Sequence, residues 1–103
     1  MTSPYVLTAA AETDLRGIIR YTRVQWGDDQ ARVYASKLAV GFERLASGGG
    51  GVKDVGDLFP DLRMLRCEHH YIFGVLRADK PALIVAIFHE RMDVIARVAH
   101  RLE

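Results

Sequence analysis

The sequence predicts an α+β domain in which an antiparallel helical hairpin packs on a small antiparallel sheet, and two features predict it. Three short apolar runs, Leu62–Cys67, His70–Leu76 and Ala82–Phe88, follow one another in the second half of the chain, the last two crowded with Val, Ile, Phe and Tyr. Such residues suit a pleated, half-buried surface. Ahead of them, residues 8–47 carry apolar side chains at three- and four-residue spacing, the helical period. Helices segregated from strands in this way make an α+β fold.

Taken in order, Pro4–Leu7 is a short apolar stretch that suits an edge strand, with Pro4 at its start, where a missing N–H costs least. Thr8 offers an N-cap hydroxyl to the first helix, and Glu12 and Asp14 place negative charge near its positive end. Ala11, Leu15, Ile18, Ile19, Thr22 and Trp26 form its predicted inner face, with Arg16, Arg20 and Arg23 on the other side. Gly27 is expected to end the helix as a left-handed residue, and Asp28 or Asp29 to cap the next one. That second helix presents Ala31, Tyr34, Leu38, Phe42 and Leu45, and stops at Ser47, because Gly48–Gly51 loses too much backbone entropy to stay helical. The same glycines do not make a phosphate-binding loop, which needs a Lys-Ser or Lys-Thr pair opening a helix. Here Val52-Lys53-Asp54 follows.

Residues 52–61, with Gly56 and Pro60, read as an irregular link into the first strand of a three-strand meander. Glu68-His69 is short enough for a tight hairpin, and Ala78-Asp79-Lys80-Pro81 carries the Asp and Pro of a turn. On the expected packing, Tyr71, Phe73, Ile84, Ala86 and Phe88 alternate toward the helical hairpin. Asp93 then caps a last short helix, with Ile95, Val98 and Leu102 as its apolar stripe. The N-terminal strand is expected at an edge of the sheet. The chain shows no repeat and no boundary, so residues 1–103 are read as a single domain.

Composition excludes several classes. With 50% hydrophobic and 26% charged residues, the chain is not of the disordered type. No apolar run approaches the roughly 20 residues of a membrane helix, and no basic segment leads into an apolar one at the start, so a cytoplasmic location without membrane attachment is expected. The lone Cys67 can form no internal disulfide and supplies no metal cluster. His69 and His70, neighbours on a strand, point to opposite faces, so no metal and no cofactor is expected. A net charge of +1 does not support non-specific or sequence-specific nucleic-acid binding. Eleven of the fourteen basic residues are Arg, the cation suited to interfaces, although a GC-rich genome gives the same bias.

Several stretches together resemble a known family. The Asp14-Leu15…Ile18…Tyr21 phrase, the Gln30-Ala31…Tyr34…Leu38…Phe42…Leu45 pattern, Leu62-Arg63, His70-Tyr71-Ile72-Phe73 and Ile87-Phe88-His89-Glu90-Arg91-Met92-Asp93 are similar to the ParE-type toxins of the ParE/RelE superfamily, from about Tyr5 to Met92. The resemblance implies a toxin of a type II toxin–antitoxin module, held inactive by a ParD-like antitoxin in a hetero-oligomer. ParE members are similar to one another in poisoning DNA gyrase, whereas RelE members cut messenger RNA on the ribosome. Two departures stand out. Gly48–Gly51 replaces a Pro-containing link, and Gly74 stands where a large aromatic is common, which predicts space on one face of its strand.

The two implied functions call on different residues. Metal-free RNA cleavage needs a base, an acid and cations on the phosphate. Arg63, His70, His89 and Arg91 are the candidates, with Arg66 and Arg77 nearby in sequence. A non-catalytic gyrase inhibitor needs only a docking surface, and Arg97, His100 and Arg101 on the last helix are the candidates there. Without a function, His89-Glu90-Arg91 is a strand-to-helix turn with the His bonded to backbone and Glu90 paired with Arg91, and the last-helix cations simply complement its dipole. Trp26 is expected in the core, and Cys67 as a small buried hydrophobe.

Overall fold

The computed structural model describes residues 3–103. The elements run β1 (Tyr5–Leu7), α1 (Ala9–Trp26), α2 (Asp28–Ser47), β2 (Lys53–Asp54), β3 (Leu62–Cys67), β4 (His70–Val75), β5 (Ala82–His89) and α3 (Val94–Arg101). The strands form one sheet in the order β1-β5-β4-β3-β2. Only β1 runs parallel to its neighbour, pairing Tyr5 with Ala82 and Leu7 with Ile84 at the sheet edge. The predicted elements are all present. β2 is additional: two residues inside the stretch read as irregular pair with Met64 and Arg63, too short a run to show any period.

Local chemistry sets the helix ends. The Thr8 hydroxyl accepts from the Ala11 N–H at 3.1 Å and caps α1, as expected. At the other end the expectation needs correction. Gly27 has φ 94° and ψ 171°, an extended positive-φ conformation open essentially to glycine alone rather than the left-handed helical one. Its N–H donates to the Arg23 carbonyl and its C=O accepts from Ala31 N. One glycine therefore closes α1 and opens α2, and neither Asp28 nor Asp29 caps the second helix. Gly48, at φ 74° and ψ 30°, ends α2.

The sheet is covered on both faces. Ala11, Leu38, Phe42 and Leu45 of the helical hairpin meet Leu65, Ile72, Ile84 and Ile87. Across the sheet Leu62, Phe73, Val85, Ala86 and Phe88 meet Val98 of α3. Of the five residues expected to face the hairpin, only Ile84 does. Tyr71, Phe73, Ala86 and Phe88 point to the α3 side. Two causes combine. A strand buried on both faces loses the apolar–polar alternation that marks an inner side. In addition, Phe73 pairs with Ala86 while Gly74 pairs with Ile84, so Val85 is an extra residue. This β-bulge reverses the parity of β5.

Two further expectations fail on packing. Trp26 is 71% exposed at the tip of the hairpin, beyond the sheet. Gly74 leaves no space, since a Cβ there would stand 2.6 Å from Leu45 Cδ2 and 3.2 Å from Ile84 Cδ1. The glycine lets α2 close onto the sheet.

Candidate functional site

The candidate nuclease residues are not brought together. Arg63 pairs across the ladder with Gly74, four positions from the Cys67–His70 pair, or about 13 Å along the strand. Its guanidinium bonds its neighbour's Leu62 carbonyl and sits 3.5 Å from Asp54. His70 and His89 are cross-strand partners, with ring centroids 5.1 Å apart in an edge-on arrangement. His70 is only 9% exposed. The Tyr34 hydroxyl donates to its Nδ1 at 2.5 Å and accepts from the His69 N–H at 3.2 Å. Burial, with the neighbouring His89 and His69 acting in the same direction, pushes the His70 pKa down to about 4. Burial also raises the Tyr34 hydroxyl. Near neutral pH both groups are uncharged and bonded to each other, an arrangement that holds α2 against the β3–β4 hairpin.

The strand-to-helix turn is built as predicted in one respect and differently in another. His89 Nδ1 accepts from the Arg91 N–H at 3.1 Å, so the ring closes its own turn. Glu90 does not pair with Arg91. Arg66 Nη2 donates to Glu90 Oε1 at 2.5 Å, and His69 Nδ1 lies 2.8 Å from Oε2. The His69 bond, with Arg66 also nearby, holds the Glu90 carboxyl below its usual range. The Arg91 side chain is exposed. Arg77 is tied to the turn it precedes, donating twice to the Pro81 carbonyl. Cys67 is half-buried, with its thiol 3.4 Å from the Lys37 carbonyl.

The candidate docking residues on α3 divide. Asp93 caps the helix by accepting from the Ala96 N–H at 3.3 Å. Arg97 and His100 are exposed, and His100 has only a loose contact with Glu103 at 3.6 Å. Arg101 instead turns inward. Its two terminal nitrogens donate to the two Asp14 carboxylate oxygens at 2.5 and 3.2 Å. The guanidinium also bonds the Val85 carbonyl at 3.2 Å and lies 4.7 Å above the Phe88 ring.

Sequence reasoning missed Asp14 as a partner, having placed it among the helix-end charges. A signal was available: Asp14 sits three residues after Ala11 and four before Ile18, on the apolar face. Helical spacing marks Tyr34 as an apolar position only and gives no hint of its hydroxyl bonds. Among the described residues no group of three or more His, Cys, Asp or Glu side chains is placed to hold a metal, and no helix is long and apolar enough to cross a membrane.

The family described as the ParE toxin of the type II toxin–antitoxin system parDE matches residues 5–94. The chain belongs to the ParE toxin family. It is 62% identical to the Toxin ParE of Escherichia coli over 99 residues, 96% of each chain. It is 31% identical to Toxin ParE1 of Mycobacterium tuberculosis over 94 residues, 91% of this chain and 96% of that one. A chain of the solved chromosomal ParDE system from P. aeruginosa shares the fold with a TM-score of 0.64 at 19% identity, over 81% of this chain and 90% of that one. The ParE match ends at Val94, so α3 and its Arg101 anchor lie almost wholly beyond it.

Proposed function

We propose that this ParE-family toxin inhibits DNA gyrase by protein–protein binding and is neutralised by a ParD-like antitoxin. The observation that carries the reading is the 62% identity with a ParE toxin over 96% of both chains. Two features of the molecule support a docking rather than a catalytic mode. His70 is buried against Tyr34 and offers no free proton-transfer group, and the Nδ1 of His89 is taken up by the Arg91 N–H in closing its own turn. Arg63 lies at the other end of the ladder from both. The exposed face of α3 offers the Arg97 guanidinium and the His100 imidazole, neither of which packs into the core.

Supercoiling by purified gyrase, with and without this protein, tests the reading beside a translation-coupled RNA cleavage assay. Inhibition of supercoiling with no message cleavage is expected, and co-expression of a ParD-like antitoxin should restore growth. Replacing Arg97 and His100 with Ala should lower inhibition while changing stability by under about 0.5 kcal/mol, because both side chains are exposed. Cleavage of ribosome-bound message, lost in a folded His89→Ala variant, would assign the RelE-like endoribonuclease reading instead.

A further inference from the structure

The pairing of Asp14 with Arg101 joins the first helix to the last across 87 residues of sequence. Its location gives it a specific task. β1 ends at Leu7 opposite Ile84, and pairing of that edge continues only through the Thr8 N–H to the Ile84 carbonyl. Immediately beyond lies the bulge at Val85. There β5 turns the Val85 carbonyl and the Ile87 N–H toward an edge with no strand beside it. Arg101 donates to the first at 3.2 Å, and Asp14 Oδ2 accepts from the second at 3.0 Å. Two side chains thus stand in for the missing strand, each completing the other's charge.

The helix that carries Arg101 has little else to hold it. α3 is eight residues long, too short to be stable by itself in water. Val98 is its one fully buried side chain, Val94 and Leu102 pack only in part, and Ile95 is 41% exposed. Beneath it lies the apolar face formed by Leu62, Phe73, Val85 and Phe88.

We propose that α3 is a releasable strap, latched by the Asp14–Arg101 pair, which lifts from the sheet as a unit while the helical hairpin and β3–β5 stay folded. The strap and the gyrase reading are independent, since the latch is a property of the isolated fold. Charge and shape both matter to it. The fork of Arg101 meets Asp14 with two nitrogens, a geometry that Lys does not reproduce. Removing one partner leaves the other half-buried and uncompensated, which moves an equilibrium of this kind by about a hundredfold or more.

Native-state hydrogen exchange of the full chain, resolved by residue, tests the strap. In the parent protein, amides of residues 97–102 should exchange through one common opening, with a denaturant dependence above that of local fraying and below that of global unfolding, while those of Ile72 and Phe73 exchange only with global unfolding. Arg101→Lys should lower protection of 97–102 severalfold and Arg101→Leu about a hundredfold, with β4 protection nearly unchanged. Asp14→Asn keeps an acceptor for the Ile87 N–H but removes the charge, and should reproduce the Arg101→Leu loss on α3. If 97–102 exchange in the parent only with global unfolding, the strap does not exist. Equal loss of protection in α3 and β4 in the variants would make the pair a general staple and overturn the latch, as would no loss in either.

Discussion

His70 shows how a single side chain changes meaning between sequence and structure. As a strand histidine near neutral pH it looks like a proton-transfer group. Buried under Tyr34, it becomes a neutral acceptor whose pKa falls to about 4 from an ordinary 6.5. The consequence for stability has a definite sign. Between those values the unfolded chain binds the proton and the native protein does not, so protons favour unfolding. The His70 contribution is complete above about pH 6.5 and is lost as pH falls toward 4, to a total of about 3 kcal/mol. Urea unfolding measured from pH 7 to pH 4.5 should show the midpoint falling across this window. In a His70→Leu variant that slope should shrink, and an unchanged slope would place the titrating group elsewhere.

At the scale of elements, the junctions rather than the elements carry the specificity. Gly27 serves as the whole link between α1 and α2, in a backbone conformation that a side chain would strain. Gly74 does the same for the contact of α2 with the sheet, where the bulge brings Ile84 opposite it and Leu45 above it. Gly74→Ala would force its new methyl to within 2.6 Å of Leu45 Cδ2 and 3.4 Å of the Leu83 carbonyl. Overpacking of this kind should cost about 1–3 kcal/mol, read as a lower unfolding midpoint. On a Leu45→Ala background, which removes the atom the new methyl meets, the added cost of Gly74→Ala should shrink. A neutral Gly74→Ala would mean the helix moves off the sheet freely.

Across the whole molecule, the sheet is the common wall of two cores of unequal cover. The helical hairpin supplies Leu38, Phe42 and Leu45 to one. On the other side Val98 is the single buried contribution from α3. Stability should therefore rest chiefly on the hairpin side. Phe42→Ala, which removes a ring packed at 5.3 Å from Tyr5, should cost about 3–5 kcal/mol. That is a large share of what a domain of this size has, so calorimetry should show either a strongly lowered melting temperature or no cooperative transition. The same asymmetry explains why α3 needs an ion pair as well as an apolar stripe to stay in place.

What the sequence by itself determined is the family and every element but the two-residue β2. Helical spacing from Ala11 to Leu45, the Thr8 and Asp93 caps, the Gly48 stop and the meander of Val- and Ile-rich strands are local properties, settled by neighbours within four or five residues. The family followed from the order of such phrases along the chain. Tertiary structure alone decided which face each strand residue takes, because one bulged residue at Val85 reverses the parity of the rest of β5, and two-sided burial erases the alternation that would have marked the inner side of either strand. It alone decided the partners of the charges as well. Glu90 chose Arg66 and His69 over adjacent Arg91, and Arg101 turned from a candidate docking surface to Asp14, 87 residues away. A local pattern carries no record of such pairings. They depend on where the backbone leaves a polar group unpaired, and that is fixed only when the sheet has formed.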